Sequence, residues 1–275
     1  MSKAQRLKSK AQSPKFLSMV VLGVLLLLTD SSRCATSDSL FAAGSEAYIA
    51  GDYHRAARAF RESVQLHPGS GSLQNLGNAE WQLGNTGRAV LAWEQSLWVN
   101  PFNQAAYTNL RFARKTAQLE SPELAWYEVV SSWLPANWWA WVAGLSFWFA
   151  VAIVLLPGIF RWRRLAWHQA VAAFGLAIFL LSVPANVGIA SRSRLGFILQ
   201  KNTPLRLTPT ANAQLITRLP SGEPARLERV HGRFVLVRTN RTAGWIERDF
   251  FGLTSSVGLN TPNWSPSKSE SLVKR

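Results

Sequence analysis

Two stretches that repeat at a fixed spacing decide the fold of this chain: residues 44–68, GSEAYIAGDYHRAARAFRESVQLHP, and residues 77–101, GNAEWQLGNTGRAVLAWEQSLWVNP. A repeat of this length predicts stacked helix pairs, because each pair can bury its apolar face only against a neighbour. The small residues allow close helix contact, the aromatic residue fills it, and proline ends the second helix. The positions that match at an offset of 33 are Gly44 and Gly77, Gly51 and Gly84, Tyr53 and Thr86, Ala56 and Ala89, Phe60 and Trp93, and Pro68 and Pro101.

A third helix of the first type is expected after the second repeat. Asn75-Leu76 recurs as Asn109-Leu110, which predicts a helix from about Asn103 to Leu119 that caps the stack. The whole register resembles the tetratricopeptide repeat (TPR). This resemblance implies an α-solenoid TPR domain at 37–119, with two repeats and a capping helix. Arg111 departs from the pattern, since it stands where the cap's first glycine would be.

The resemblance also implies where a partner binds. The first helices of TPR repeats line a concave groove that suits an extended peptide or a helix. Asn75 and Asn109 fall on this face and are the candidate groove contacts, although such amides can instead hydrogen-bond to neighbouring helices. Arg111 and Arg114 favour an acidic partner, with solvated surface charge as the alternative. Asn75 matches the carboxylate-clamp subset of TPR domains, but a full clamp is absent, because other clamp positions hold Phe41, Ser45, Thr108 and Phe112.

The first 34 residues predict export from the cytoplasm. A basic segment precedes a mostly apolar run of 13 residues, Phe16 to Leu28, which is short for a membrane span and typical of a signal peptide. Cleavage before Ala35 is expected. Lipidation of Cys34 is one alternative, which Arg33 disfavours because a lipobox needs a small residue there, and an uncleaved anchor is another. Cys34 is the single cysteine, so no intramolecular disulfide or thiolate metal cluster can form.

Two apolar segments predict a transmembrane hairpin. Residues 138–160 and 165–190 are each long enough, as helices, to cross a hydrocarbon core about 30 Å thick. An amphipathic linker, 120–137, precedes them. Many of the 13 tryptophans lie in or beside the first span and the turn after it, as in an aromatic belt at a membrane interface. A buried hairpin in a soluble protein is the alternative.

Charges next to these segments predict the topology. The turn from Arg161 to Arg164 is short and basic, whereas Glu120, Glu123 and Glu128 precede the first span. Basic loops stay in the cytoplasm, so both soluble parts are expected on the outer side of a bacterial inner membrane. Arg192 and Arg194, after the second span, oppose this orientation mildly.

Alternating apolar and polar residues at 204–254 predict about five short strands, in a domain placed at 195–254. The segments Gly222-Glu223, Gly232 to Arg238 and Gly244-Trp245-Ile246 resemble bacterial SH3-like domains, whose closing hairpin ends in Gly-Trp and an aliphatic residue. The resemblance implies a small all-β SH3-like barrel.

The aromatic residues of this barrel, Phe234 and Trp245, are expected in its core rather than on a contact surface. No Ala-Leu-Tyr stretch precedes them, so polyproline recognition is not expected. Residues 255–275 are rich in Ser, Pro, Lys and Asn and predict a disordered tail.

Composition argues against several function classes. The formal net charge is +15, yet the basic residues gather in the leader and beside the apolar segments, so we expect no nucleic-acid partner. The sequence holds no HExxH motif, no metal-ligand Cys/His spacing, no nucleophile elbow and no glycine-rich phosphate loop. We therefore expect no enzyme activity, no catalytic residue, no metal, no cofactor and no small-molecule substrate.

The order of modules resembles the E component of the bacterial aerotolerance (Bat) system: a signal peptide, a TPR domain, two transmembrane helices and an SH3-like domain. The resemblance implies a multidomain membrane protein that scaffolds an envelope-stress complex. Its partners would be von Willebrand factor A-type membrane proteins, a large Bat-family membrane protein and a MoxR-type ATPase. The alternative is a cell-wall adaptor, whose SH3-like domain binds peptidoglycan and whose TPR recruits a wall enzyme.

Overall fold

The computed structural model describes residues 36–159 and 166–257. In these ranges the chain forms eight helices and one antiparallel sheet of seven strands. The predicted combination of helices, two long apolar helices and a small antiparallel sheet is therefore confirmed. The leader with Cys34, the Arg161–Arg164 turn and the part of the tail beyond residue 257 lie outside the described residues.

The first five helices form two helix pairs and one further helix. Gly51 and Gly84 have φ values of +79° and +75° at the turns within the pairs, where a side chain would strain the backbone. Side chains cap two of the helices: Asp52 accepts a hydrogen bond from the Arg55 amide, and Asn103 accepts one from the Ala106 amide. The helices are α1 (36–49), α2 (Tyr53–Leu66), α3 (Ser70–Gln82), α4 (Thr86–Val99) and α5 (Gln104–Ala117).

The close contacts expected from the repeat are present in both pairs. A Cβ placed on Gly44 would lie 2.8 Å from the ring of Phe60, and one placed on Gly77 would lie 2.5 Å from Trp93 Nε1. These distances are too short for any side chain larger than glycine. The helices of each pair therefore pack as closely as their sequences permit.

Buried hydroxyl groups repeat at the same offset. The Oγ atoms of Ser37 and Ser63 lie 3.0 Å apart, and 33 residues later those of Ser70 and Ser96 lie 2.9 Å apart. Asn103 Nδ2, another 33 residues after Ser70, donates to Ser70 Oγ at 2.9 Å. These bonds tie the start of each first-type helix to the second helix of a pair.

Three further helices follow: α6 (Trp126–Ser131), α7 (Ala136–Ile159) and α8 (Ala166–Arg192). The linker expected at 120–137 thus contains a short helix, and the second apolar helix extends two residues beyond the expected end at residue 190. Both α7 and α8 are long and apolar enough to cross a membrane, and only 6% and 17% of their apolar segments are buried. A core helix of a soluble protein would be mostly buried.

The sheet has seven strands rather than the five expected. The strand Leu195–Ile198 precedes the stretch 204–254 in which strands were expected, and the strand Phe251–Leu253 is only three residues long. The strand order is β3-β2-β6-β5-β4-β1-β7, and every pairing is antiparallel. The strands are β1 (Leu195–Ile198), β2 (Thr203–Arg206), β3 (Leu215–Leu219), β4 (Pro224–His231), β5 (Phe234–Arg238), β6 (Ala243–Glu247) and β7 (Phe251–Leu253). We refer to residues 195–254 as the β module and to α1–α5 as the helical module.

The prediction that Phe234 and Trp245 belong to the core of the β module is wrong. Strand residues alternate between two faces, and here Val235 and Ile246 take the inner face. Phe234 and Trp245 therefore point outward and are only half-buried, with His231 edge-on to Trp245 at 6.2 Å.

The β module packs directly on the helical module. Phe197 of β1 is fully buried in one hydrophobic cluster with residues of α4 and α5. Val90 and Leu91 of α4 contact the β module, as a Cβ on Gly222 would touch Val90 and one on Gly252 would lie 2.2 Å from Leu91. The two modules therefore share a core.

Candidate functional site

The predicted groove contacts lie on neighbouring first-type helices. Asn109 Nδ2, on α5, donates to Asn78 Oδ1, on α3, at 2.7 Å, and Trp93 Nε1 donates to the same oxygen at 3.0 Å. Asn75 is half-buried one turn before Asn78. The amide nitrogen of Asn109 is thus used within the fold, which leaves its carbonyl oxygen for a ligand.

Other side chains of α5 are exposed. Thr108 and Phe112 are both exposed, Phe112 with 58% of its surface accessible. The Phe112 ring meets Trp81 of α3 edge-on at 6.0 Å. The face formed by α1, α3 and α5, which we call the first-helix face, therefore offers amide and aromatic groups to a partner. Arg111 is exposed as well, but it lies two residues after Asn109 and so on another side of α5, because residues i and i+2 of a helix do not share a face.

Arg114 does not share this environment. Its guanidinium forms an ion pair with Glu94 of α4, whose side chain is nearly buried. The acidic partner expected for Arg114 is thus a residue of the same chain. Of the four residues predicted to bind a partner, Asn75 and Asn109 remain available on the first-helix face, and Arg111 is exposed on another side of α5.

The contact between α4 and the β module involves backbone atoms on both sides. The Gly87 amide donates to Ser221 Oγ at 2.8 Å, and Gln95 Nε2 donates to the Leu253 carbonyl oxygen at 3.0 Å. A Cβ on Gly87 would lie 2.3 Å from the Ile198 carbonyl oxygen. Only glycine permits this approach.

A second junction joins the β module to α6 and α8. Glu128 of α6 accepts two hydrogen bonds from Arg226 of β4, at 2.7 and 2.8 Å. Its side chain is 1% exposed, and it also accepts from Ser191 Oγ of α8 at 2.5 Å and from the Ala125 amide at 2.8 Å. Such a bidentate pair fixes both distance and orientation.

Arg192, the last residue of α8, links this junction to α4. Its Nη1 donates to Ser131 Oγ at 3.2 Å, and its guanidinium lies over the Trp98 ring at 5.2 Å from the centroid. It also interacts electrostatically with Glu94 and Glu128. Positive and negative side chains therefore alternate in a row, with one residue from each of α5, α4, α8, α6 and β4. We call this row the ion chain: Arg114, Glu94, Arg192, Glu128 and Arg226.

The two carboxylates of the ion chain respond to burial differently. Burial raises the pKa of the Glu94 carboxyl, and the positive charges of Arg114 and Arg192 only partly offset this. Burial also acts to raise the pKa of Glu128, but hydrogen bonds from Arg226, Ser191 and the Ala125 amide outweigh it and lower that pKa below its usual range. Glu128 is thus the more firmly held anion.

Sequence reasoning did not find the ion chain or the contact between modules. In the sequence, Glu128 and Arg192 were interpreted only as charges that indicate membrane topology. One sequence feature did indicate the contact between the modules: α4 holds Gly87, which is small, and Leu91, which is apolar. The equivalent positions of the first repeat hold His54 and Arg58.

Comparison of the chain with family models, with curated proteins and with solved structures finds no match. Among residues 36–159 and 166–257, no group of three or more His, Cys, Asp or Glu is placed to hold a metal ion. The candidate function therefore rests on the geometry of the first-helix face and of the two junctions.

Proposed function

We propose that this chain is a non-enzymatic, membrane-anchored scaffold that binds another protein through its first-helix face. In this proposal α1–α5 are a TPR domain, α7 and α8 span a bacterial inner membrane, and the β module is an SH3-like domain. Both modules lie on the periplasmic side.

One observation carries this proposal: the β module covers α4 and leaves the first-helix face open. A stack of two helix pairs is small, and the β module supplies the further apolar surface that such a stack needs. Because the β module already serves this structural role, the open amide and aromatic groups of Asn75, Asn109 and Phe112 are left for a partner.

The contact between the modules also supports the proposed topology. Gly87 and Ser221 are hydrogen-bonded, and both apolar helices lie between them in the sequence. Two modules in contact must lie on the same side of a membrane. An even number of spans between them meets this requirement.

Photo-crosslinking tests the binding face. A photo-reactive amino acid replaces Asn75 or Phe112 in the full-length chain, expressed in its own membrane, and mass spectrometry identifies the adducts. Gln65, exposed on α2, is the matched control position. We expect the same protein adduct from both first-helix positions and none from Gln65. An adduct from Gln65 alone would reject this face as the binding site.

The partner we propose is a von Willebrand factor A-type membrane protein of a Bat system, acting with a MoxR-type ATPase. Support for this choice comes from the order of modules in the sequence. The crosslinked adduct identifies the partner directly, and an adduct with a cell-wall enzyme would favour the alternative function.

The outward-facing aromatic residues of the β module favour that alternative, in which the module binds peptidoglycan. Half-buried Trp245, with His231 beside it, gives a small ligand an aromatic surface and a polar group. Retention on purified sacculi is the test. If the β module binds the wall, Trp245→Ala reduces retention, whereas Leu207→Ala, which truncates an exposed side chain of the same module, does not. Equal retention of both variants would reject this surface.

A further inference from the structure

Helix α6 packs against the outer end of α8. A Cβ on Gly188 would lie 2.2 Å from the Tyr127 carbonyl oxygen and 2.8 Å from Ser131 Cβ. Glu128, on the same side of α6, accepts a hydrogen bond from Ser191. Backbone contact and side-chain bonds thus hold one face of α6 on α8.

This packing sets the depth of α6 relative to the apolar segment. The segment of α8 that is apolar enough to cross a membrane runs from Trp167 to Arg192. Gly188 lies four residues before its end, which corresponds to about 6 Å along a helix. Helix α6 therefore lies beside the last turn of this segment, rather than above it with the β module.

The opposite face of α6 and the residues after it carry an exposed apolar stripe. Trp126 is 68% exposed, Val129 42% and Trp133 61%, while Glu128 and Ser131 between them are buried. The stripe continues into α7, where Trp138 and Trp141 are also exposed. Nothing in the described part of the chain covers these side chains, and tryptophan is the residue most favoured where headgroups meet acyl chains.

We propose that α6 is an interfacial helix, and that Trp126, Val129 and Trp133 insert into the lipid leaflet on the side of the two modules. The proposal rests on the membrane hairpin of the proposed function. The occupant is lipid, because the stripe is continuous with the exposed face of α7 and lies level with the end of the span. The stripe carries no charge, so insertion does not require anionic lipid.

Depth measurement with spin-labelled lipids tests this. In a Cys34→Ser background, which removes the single cysteine, Val129→Cys on α6, Leu145→Cys at the middle of the apolar segment of α7 and Tyr107→Cys on α5 each carry an environment-sensitive fluorophore. All three positions are exposed. The full-length protein is placed in nanodiscs of phosphatidylcholine, with or without phosphatidylglycerol.

We expect a headgroup-level quencher to reduce emission at Val129 and a mid-chain quencher to reduce it at Leu145, with no loss at Tyr107. The Val129 signal should be the same in both lipid mixtures. Trp126→Cys provides a second site on the stripe in case the Val129 variant does not fold.

The outcomes separate the two proposals. If emission is not quenched at Val129 or Trp126 but is quenched at Leu145, the interfacial helix is overturned and the hairpin stays in place. If emission is not quenched at Leu145, the hairpin is rejected and, with it, this inference. Quenching of the stripe only in the anionic mixture would mean that charge, not the tryptophan stripe, holds α6 at the surface.

Discussion

Helices α2 and α4 occupy equivalent places in the two repeats, yet their outward faces differ. Inside each pair the contacts match, with Phe60 on one glycine and Trp93 on the other. On the outside, α2 exposes charged residues, while α4 is covered by the β module. The repeat thus specifies the contact within a pair, and departures from the repeat specify contacts outside it. The departures at an offset of 33 are His54 to Gly87, Arg58 to Leu91 and Glu62 to Gln95.

Exchanging residues between α2 and α4 at one such position should change the free energy of unfolding most. Leu91→Arg gives α4 the residue that α2 has and buries a charge against Gly252, so we expect it to lower the free energy of unfolding by about 4 kcal/mol. The reverse change, Arg58→Leu, should alter it little because the site is exposed. Thermal unfolding in detergent measures both. Equal losses of unfolding free energy in the two variants would mean that the outward face of α4 is no more buried than that of α2.

Alanines inside the pairs should respond alike in the two repeats. Ala56 and Ala89 are both fully buried, so Ala56→Trp and Ala89→Trp should each cost about 3 kcal/mol by overpacking. Ala105→Trp, on an exposed position of α5, is the control. An unchanged melting temperature in either buried variant would show that the repeat register is wrong.

A smaller loss of stability is expected at the backbone contact between α4 and the β module. Gly87→Ala forces a methyl group against the Ile198 carbonyl oxygen, and we expect a loss of about 2 kcal/mol together with separation of the modules. Gly71 occupies the same second position of α3, and there a Cβ would meet Phe41 at an ordinary 3.9 Å. Gly71→Ala should therefore be neutral or slightly stabilising. Protease cleavage between the modules and melting temperature report the difference.

The smallest effects, and of opposite sign, are expected at the two carboxylates of the ion chain. Folding lowers the pKa of Glu128, so its contribution to stability is present above the ordinary carboxyl pKa of about 4.3 and is lost as pH falls through the lowered value. Glu128→Gln should cost about 1 kcal/mol near neutral pH, because it loses the charge-assisted bonds to Arg226.

Folding raises the pKa of Glu94, so the folded state binds that proton more tightly, and stability rises as pH falls through the raised value. Glu94→Gln should therefore leave stability at neutral pH unchanged or higher, and remove this acid-side gain. Melting temperatures of both variants from pH 7 to pH 2 are the test, because the contribution of Glu128 is lost only below the ordinary carboxyl pKa. If Glu94→Gln and Glu128→Gln lose equal stability at neutral pH, the assigned directions of the two pKa shifts are wrong.

The parts of the fold that sequence predicted are those encoded locally. The contact of Gly77 with Trp93 follows from a spacing of 16 residues within one helix pair, and α7 and α8 follow from continuous apolar runs. The docking of Ser221 on Gly87 joins residues 134 apart, and no periodicity links them.

The same limit applies to the candidate site. Asn75 and Asn109 could be assigned to one face because they share a register position. The pairing of Arg114 with Glu94 could not, because it depends on where α5 crosses α4. Phe234 was misassigned because the choice of inner face in a strand is set by the neighbouring strands, which put Val235 inside.

The hydrogen bond between Gly87 and Ser221 can form only late in the synthesis of the chain. A ribosome makes α4 long before it makes the strand region that covers it, and both apolar helices are synthesised in between. If α7 and α8 span a membrane as proposed, the apolar surface of α4 around Leu91 stays uncovered until both helices have been inserted and the β module has reached the same side. A nascent chain arrested before β1 would expose that surface, which makes it a natural point for a chaperone to bind.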